Sequence, residues 1–428
     1  MTDRYSASRA QHERARRSIA GGVTSAIRGT QRPIPVAFAQ GRGARLTDLD
    51  GNEYVDYALA YGPLLLGHSP EPVLAAVRGQ LSKAIAFGAS HRVEAELAEA
   101  VCRTVPCAER CVFSTSGSEA IAVALRIARS ATARTRVVKF LGHFHGWLDP
   151  LAVGGPGAAD GSPATAGQDP AASASVTVCP WNDLEALERT LGDDVAAVIM
   201  EPVPVNGGCF LPEPGYLEAV RALTRRVGAI LIFDEVITGF RLALGGAQER
   251  LGVVPDLAVF AKALGAGFPI SAVCGSAEVM EEAASGRVAH LGTMNGNPVS
   301  TSAALAAVGE LERRADELYP LLEAAGSALA DILRSEAAAA GLPLVVNQFG
   351  AAAYAFWSDA PVDSHLEALE ADGESYRELA RALLDEGVHV IPRGLLYVST
   401  AHTETDLETT REAVRRACAR VSAGLARA

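Results

Sequence analysis

The sequence predicts an α/β protein: a core with a largely parallel sheet, and a smaller α+β lobe made from both chain ends. Two observations predict the core. Short, nearly continuous apolar runs recur at Val137–Leu141, Val195–Met200, Ala229–Phe233 and Leu257–Phe260, as expected for strands covered on both faces. Amphipathic stretches such as Leu184–Leu191 and Tyr216–Val227 separate them, and strand–helix alternation of this kind builds parallel sheets. A third observation predicts the lobe. From Pro33 to Tyr57 the chain reads as short strands around an Asp50-Gly51 turn, and after Ala306 it becomes helix-rich. Strand candidates there are Ala351–Trp357, Val388–Ile391 and Leu396–Ser399, and a last helix starts near Thr403, which has capping spacing to Asp406. The expected division is 1–60 for an N-terminal segment of the small domain, 61–305 for the large domain and 306–428 for the C-terminal part of the small domain. Ala152 to Ser175, rich in Gly, Ala, Pro and Ser, reads as a mobile loop, either a surface excursion or an active-site gate.

Composition removes several functions. A net charge of −12 without a basic tract argues against a nucleic-acid partner. Arg9, Arg14, Arg16 and Arg17 alternate with other residues and read as a solvated helix face. No stretch is long and apolar enough to span a bilayer, and the first residues lack the apolar core of a secretory signal. The seven cysteines include Cys102, Cys107 and Cys111, whose spacings match no zinc pattern. They read as reduced thiols of a cytoplasmic protein without a metal.

The most informative residues are scarce ones. Of 38 basic residues only Lys83, Lys139 and Lys262 are lysine. Arginine cannot form a Schiff base, because its guanidinium stays protonated; a desolvated lysine amine can. Lys262 follows the strand-like run Leu257–Phe260 and precedes the glycine-rich turn Gly265-Ala266-Gly267. Asp234 follows the run ending at Phe233 and stands 28 residues before Lys262, room for one helix and a return to the next strand. Ligands of open α/β sheets bind at such strand ends. A buried carboxylate needs a partner, and the partner that suits a Schiff-base lysine is the protonated ring nitrogen of pyridoxal phosphate.

That cofactor requires a phosphate site. Ser116-Gly117-Ser118 leads directly into a helical stretch, where backbone amides and hydroxyls can cradle an anion. Ser116 and Glu119 also have the spacing of an ordinary capping box. Thr293 offers a second hydroxyl, and Phe144 an aromatic face for the ring. His145 reads as a supporting group. Glu201 and Asn206 fall at another strand end, with Asn206 suited to the ring hydroxyl. No nucleotide phosphate loop, dinucleotide fingerprint or nucleophile elbow competes.

Taken in order, Ser116-Gly117-Ser118-Glu119-Ala120, Phe144-His145-Gly146, Glu201-Pro202, Phe233-Asp234-Glu235-Val236, Lys262 and Gly292-Thr293 resemble class III pyridoxal-phosphate aminotransferases. Gly21–Arg28, Gly62-Pro63 with Leu66-Gly67-His68, and Leu244–Gln248 resemble the glutamate-1-semialdehyde aminomutase branch. The similarity spans nearly the whole chain. It implies fold type I, with a mainly parallel seven-stranded sheet, and a homodimer with shared active sites. It implies Lys262 as aldimine lysine and proton shuttle, Asp234 on the pyridine nitrogen, and Gly117 and Ser118 on the phosphate. Thr293 reaches the partner's phosphate, and Val236 packs on the ring face opposite Phe144. Arg28 is either a substrate-carboxylate ligand or a surface ion-pair residue, and Tyr61 stands where the aminomutase has tryptophan. Phe144 replaces the family's usual tyrosine, and Gly394 stands where the aminomutase carries an active-site glutamate. The expected activity is therefore amino transfer from an amino donor to a keto or aldehyde acceptor, with the aminomutase reaction as the alternative.

Overall fold

The computed structural model describes residues 3–426. Contacts divide the chain into two compact units, one of residues 1–70, 320–362 and 370–428, the other of 71–319 and 363–369.

The first unit begins with α1 (Ser6–Ala15) and strands β1 (Phe38–Arg42), β2 (Arg45–Asp48) and β3 (Glu53–Asp56). β1–β2 and β2–β3 are antiparallel, the second turn falling at Asp50-Gly51.

The second unit opens with α2 (Glu71–Leu81) and α3 (Arg92–Thr104). Next come β4 (Arg110–Ser114), α4 (Gly117–Thr132), β5 (Arg136–Phe140), β6 (Val176–Cys179), α5 (Leu184–Thr190) and β7 (Val195–Met200). It continues through α6 (Tyr216–Val227), β8 (Ile230–Asp234), α7 (Ala247–Leu251), β9 (Leu257–Phe260), β10 (Ser271–Gly275), α8 (Ala277–Ala284) and α9 (Pro298–Arg313). Seven strands form one sheet in the order β4-β10-β9-β8-β7-β5-β6. β10 runs antiparallel to both neighbours, and the pairs β9–β8, β8–β7, β7–β5 and β5–β6 are parallel. Every residue of β7 and β9 is buried, so these central strands carry apolar residues on both faces. One face is covered by α4, whose Ile121, Ala124, Leu125 and Ala128 pack with Ile199, Ile232, Val259 and Val273.

The sequence runs locate the four central parallel strands. β4, β6 and β10 escape the same reading: Ser-Ala-Val-Cys-Gly of β10 is too short and small-residued to be distinguished by periodicity. The segment between β5 and β6 makes backbone hydrogen bonds of its own. Ala152 accepts from Ala164 N–H at 2.9 Å, Gly142 N–H donates to Gly154 at 2.9 Å, and Val153 bridges Pro163.

The chain then passes through α10 (Ala315–Ala339) to β11 (Leu344–Phe349), β12 (Ala352–Trp357), α11 (His365–Glu370), α12 (Gly373–Asp385), β13 (Val388–His389), β14 (Leu395–Tyr397) and α13 (Glu404–Leu425). In the first unit β13 joins the N-terminal strands in the order β1-β2-β3-β13, and β11-β12-β14 form an antiparallel sheet. β13 is shorter than the expected Val388–Ile391, and Pro392, which has no N–H to donate, follows soon after. The expected cap of the last helix is present in full: Thr403 and Asp406 exchange side-chain and backbone hydrogen bonds.

Asp56 ties the two chain ends together. Its wholly buried carboxylate meets His68 Nε2 at 2.7 Å and His389 Nδ1 at 2.8 Å. Burial pushes its pKa up, but the two imidazoles outweigh this and hold it well below the usual range. Stability from such a depressed carboxylate is present above its unfolded pKa and lost as pH falls through the folded value. Asp56→Ala, which strands two imidazoles, is expected to cost about 3–5 kcal/mol at neutral pH. Urea unfolding checks this, and a loss below about 1 kcal/mol would show that the contact is not structural.

Candidate active site

The parallel register of β8 and β9 assembles the site. Asp234 pairs with Val259, so Asp234 ends one strand and Lys262 begins the turn that follows the next. Lys262 has φ 39°; a left-handed backbone at a non-glycine residue costs about 1–3 kcal/mol and persists where surroundings enforce it.

Asp234 is 4% exposed. One carboxylate oxygen lies 2.8 Å from His145 Nδ1, and the other accepts the Val236 N–H at 3.0 Å. Nδ1–H donation makes His145 the tautomer whose Nε2 is bare, and that atom is buried without a hydrogen-bond partner. Burial pushes the His145 pKa down, with Asp234 opposing. A neutral imidazole bonded to a charged carboxylate leaves Asp234 its negative charge for another partner.

Glu201 at the end of β7 is 3% exposed and accepts the Phe144 N–H at 2.8 Å, while its own N–H donates to His143 Nδ1 at 3.0 Å. The turn carrying Phe144 and His145 is thus bound to the ends of both β7 and β8. The Phe144 ring itself is 47% exposed.

The N-terminus of α4 closes against the same strand ends. A Cβ on Gly117 would meet Val236 Cγ2 at 3.2 Å and Ala261 at 3.9 Å, and one on Gly146, at φ +89°, would collide with Ser118. These two glycines let helix, turn and lysine strand converge. The Ser116 hydroxyl is committed to the cap: it receives the Glu119 N–H at 3.3 Å and donates to the Glu119 carboxylate at 3.1 Å. The capping-box reading of this motif is what the structure shows, with Ser116 capping while Gly117 and Ser118 form the first turn. Asn206 lies in the short turn Val205–Gly207 after β7. Thr293 stands exposed in the loop before α9.

Arg28 and Tyr61 belong to the first unit, where they line a pocket of about 370 Å³ with Phe38, His68 and His389. Arg28 donates to Thr24 Oγ1 at 3.1 Å. Burial raises the Tyr61 pKa, against the positive charges of Arg28 and Arg393. Sequence reasoning overlooked Glu235, which is fully buried and accepts from Thr238, Ala247 and Gln248. Only its place beside Asp234 hinted at it.

The chain matches the class III aminotransferase family over residues 26–421. Over 412 residues it is 39% identical to a glutamate-1-semialdehyde 2,1-aminomutase of Desulfitobacterium hafniense, covering 94% of this chain and 95% of that protein. It superposes on an omega-transaminase from Sphaerobacter thermophilus with a TM-score of 0.91, at 34% identity and 98% coverage of both chains. It superposes on a transaminase with pyridoxal phosphate bound with a TM-score of 0.90, at 30% identity, covering 98% and 99% of the two chains. The chain belongs to the class III aminotransferases, and its cofactor is pyridoxal 5′-phosphate. The residues present fit it: a strand-end lysine, a buried carboxylate oriented by His145, and a helix N-terminus whose glycine permits close approach.

Burial, then the charge of Asp234, push the Glu201 carboxyl up to about 8, against the Phe144 amide and the charges of Lys262 and Lys139. Since the folded value is raised, this proton's stabilising contribution is complete below the ordinary 4.5 and is lost as pH rises through about 8. Glu201→Gln keeps an oxygen for Phe144 N–H and cannot ionise. It is expected to flatten the fall in stability across that interval, read by urea unfolding at stepped pH; a profile parallel to wild type would refute a protonated Glu201.

Proposed function

We propose that this enzyme moves an amino group within one substrate, as a glutamate-1-semialdehyde 2,1-aminomutase does. The observation that carries this reading is the 39% identity to such an enzyme along nearly the full length of both chains. When bound, pyridoxal phosphate supplies an electrophilic carbonyl and an electron-accepting ring. The Lys262 amine bonds the cofactor at rest and moves the proton at the substrate carbon. Asp234, oriented by His145 and Val236, holds a proton on the ring nitrogen. Gly117 and Ser118 hold the phosphate at the start of α4, and Phe144 and Val236 flank the ring. Glu201 fixes the Phe144 backbone, and Asn206 serves the ring hydroxyl. Arg28, beside Tyr61, binds the substrate carboxylate.

The active form in this reading is a homodimer with shared sites, Thr293 serving the partner's phosphate. In the second unit Ile85, Trp147 and Leu291 are 70%, 76% and 88% exposed, and Asn297 donates to Ile85 O at 3.1 Å, joining two of the loops that carry them. Apolar side chains in such loops suit a covered face.

A second reading, transfer between separate donor and acceptor molecules, is favoured by Gly394. This position, which resemblance equates with the aminomutase glutamate, has φ +108°, and a Cβ there would meet Tyr354 Cε1 at 2.6 Å as well as Ala355 O. No carboxylate can stand there in this backbone, so an aminomutase reaction has to proceed without it.

Conversion of glutamate 1-semialdehyde to 5-aminolevulinate without a second substrate is the expected result; release of a keto product that requires an added acceptor would select transfer instead. Lys262→Ala is expected to abolish turnover and the visible absorption of lysine-bound cofactor. Asp234→Ala should retain weakened cofactor binding and lose about 10²–10⁴ in kcat. Wild-type turnover in either variant would overturn its assigned role.

A further inference from the structure

Lys139 is one of only three lysines in the chain, lies on β5 and is wholly buried, yet the chemistry proposed above makes no direct use of it. Its ammonium donates to the carbonyl oxygens of His143 at 3.0 Å, Leu151 at 3.2 Å and Val153 at 2.6 Å. Three donors meet three acceptors, which is the full hydrogen-bonding capacity of a lysine head group. The acceptors lie at the two ends of one turn, and that turn carries Phe144, His145 and Gly146.

We infer that Lys139 is a positioning residue: its ammonium draws both limbs of the 143–153 turn onto β5 and so sets His145 against Asp234 and Phe144 against Glu201. The geometry selects lysine. Three carbonyls converging on one nitrogen suit a compact ammonium with rotatable donors, whereas the flat guanidinium of arginine spreads its donors in a plane. Methionine of similar length would leave three buried acceptors without a donor.

The titratable groups around this ammonium are Glu201 at the end of β7, Asp234 at the end of β8, and His143 and His145 on the turn itself. Burial pushes Lys139 down to about 8, with Glu201 and Asp234 opposing. A neutral amine has one donor fewer, so the turn should loosen when the proton leaves.

The catalytic consequence rests on the proposed cofactor site, but the tie itself can be tested without cofactor. Hydrogen–deuterium exchange of cofactor-free wild type, Lys139→Met and Lys139→Arg at neutral pH reads it directly. Amides of 143–153 should exchange at least about tenfold faster in both variants, with β7 and β8 unchanged. In the loaded enzyme kcat should fall about 10–100-fold, with KM changed far less and the pH titration of the cofactor's absorption displaced. Unchanged exchange in both variants overturns the inference, as does faster exchange with wild-type kcat and titration. If neither variant folds, wild-type exchange at about pH 7 and about pH 9.5, corrected for base catalysis, decides: selective loosening of 143–153 is expected, and its absence overturns the tie. Faster exchange in the variants, beside a wild-type protein that takes up no pyridoxal phosphate, supports the tie and counts against the proposed cofactor site instead.

Discussion

The contact between His145 Nδ1 and Asp234, 2.8 Å long and nearly sealed from solvent, is the interaction on which the site depends. A lone carboxylate at that depth would take up a proton or force the chain apart. A neutral imidazole and the Val236 N–H satisfy its oxygens without cancelling its charge. What remains is an oriented anion at the edge of a parallel sheet, one strand away from Lys262. The glycines at 117 and 146 matter because they allow a helix N-terminus and a loop to approach that edge closely.

Around this pair the protein concentrates ionisable groups that compensate one another. Glu201 keeps its proton to about 8, largely through burial and the neighbouring charge of Asp234. Lys139 and Lys262 bring positive charge to the same region. Each group restrains the backbone of the loop that carries Phe144 and His145, or feels the charge of one that does. The first unit uses a related device at Asp56, where one buried carboxylate joins two histidines drawn from opposite ends of the chain.

Much of the fold was readable because continuous apolar runs and amphipathic helices announce themselves by composition and period. The four central parallel strands, the Asp50-Gly51 turn and the Thr403–Asp406 cap all have strong local signals. β4, β6, β10 and β11 do not; they are short or mix small and polar residues, and their pairing partners lie far off in sequence. The cofactor was readable from chemistry: a scarce lysine after one strand-like run and an aspartate after another restrict the possibilities sharply.

By itself the sequence determined the α/β class, the family and the cofactor, because these follow from local patterns and from side chains with no substitute for their chemistry. Only the tertiary structure decided that His145 faces Asp234, that Lys139 is a three-way clasp, that Ser116 is spent on its cap, and that position 394 has no room for a side chain. Those outcomes are set by distances between segments remote along the chain, and such distances exist only once the strands have taken their register.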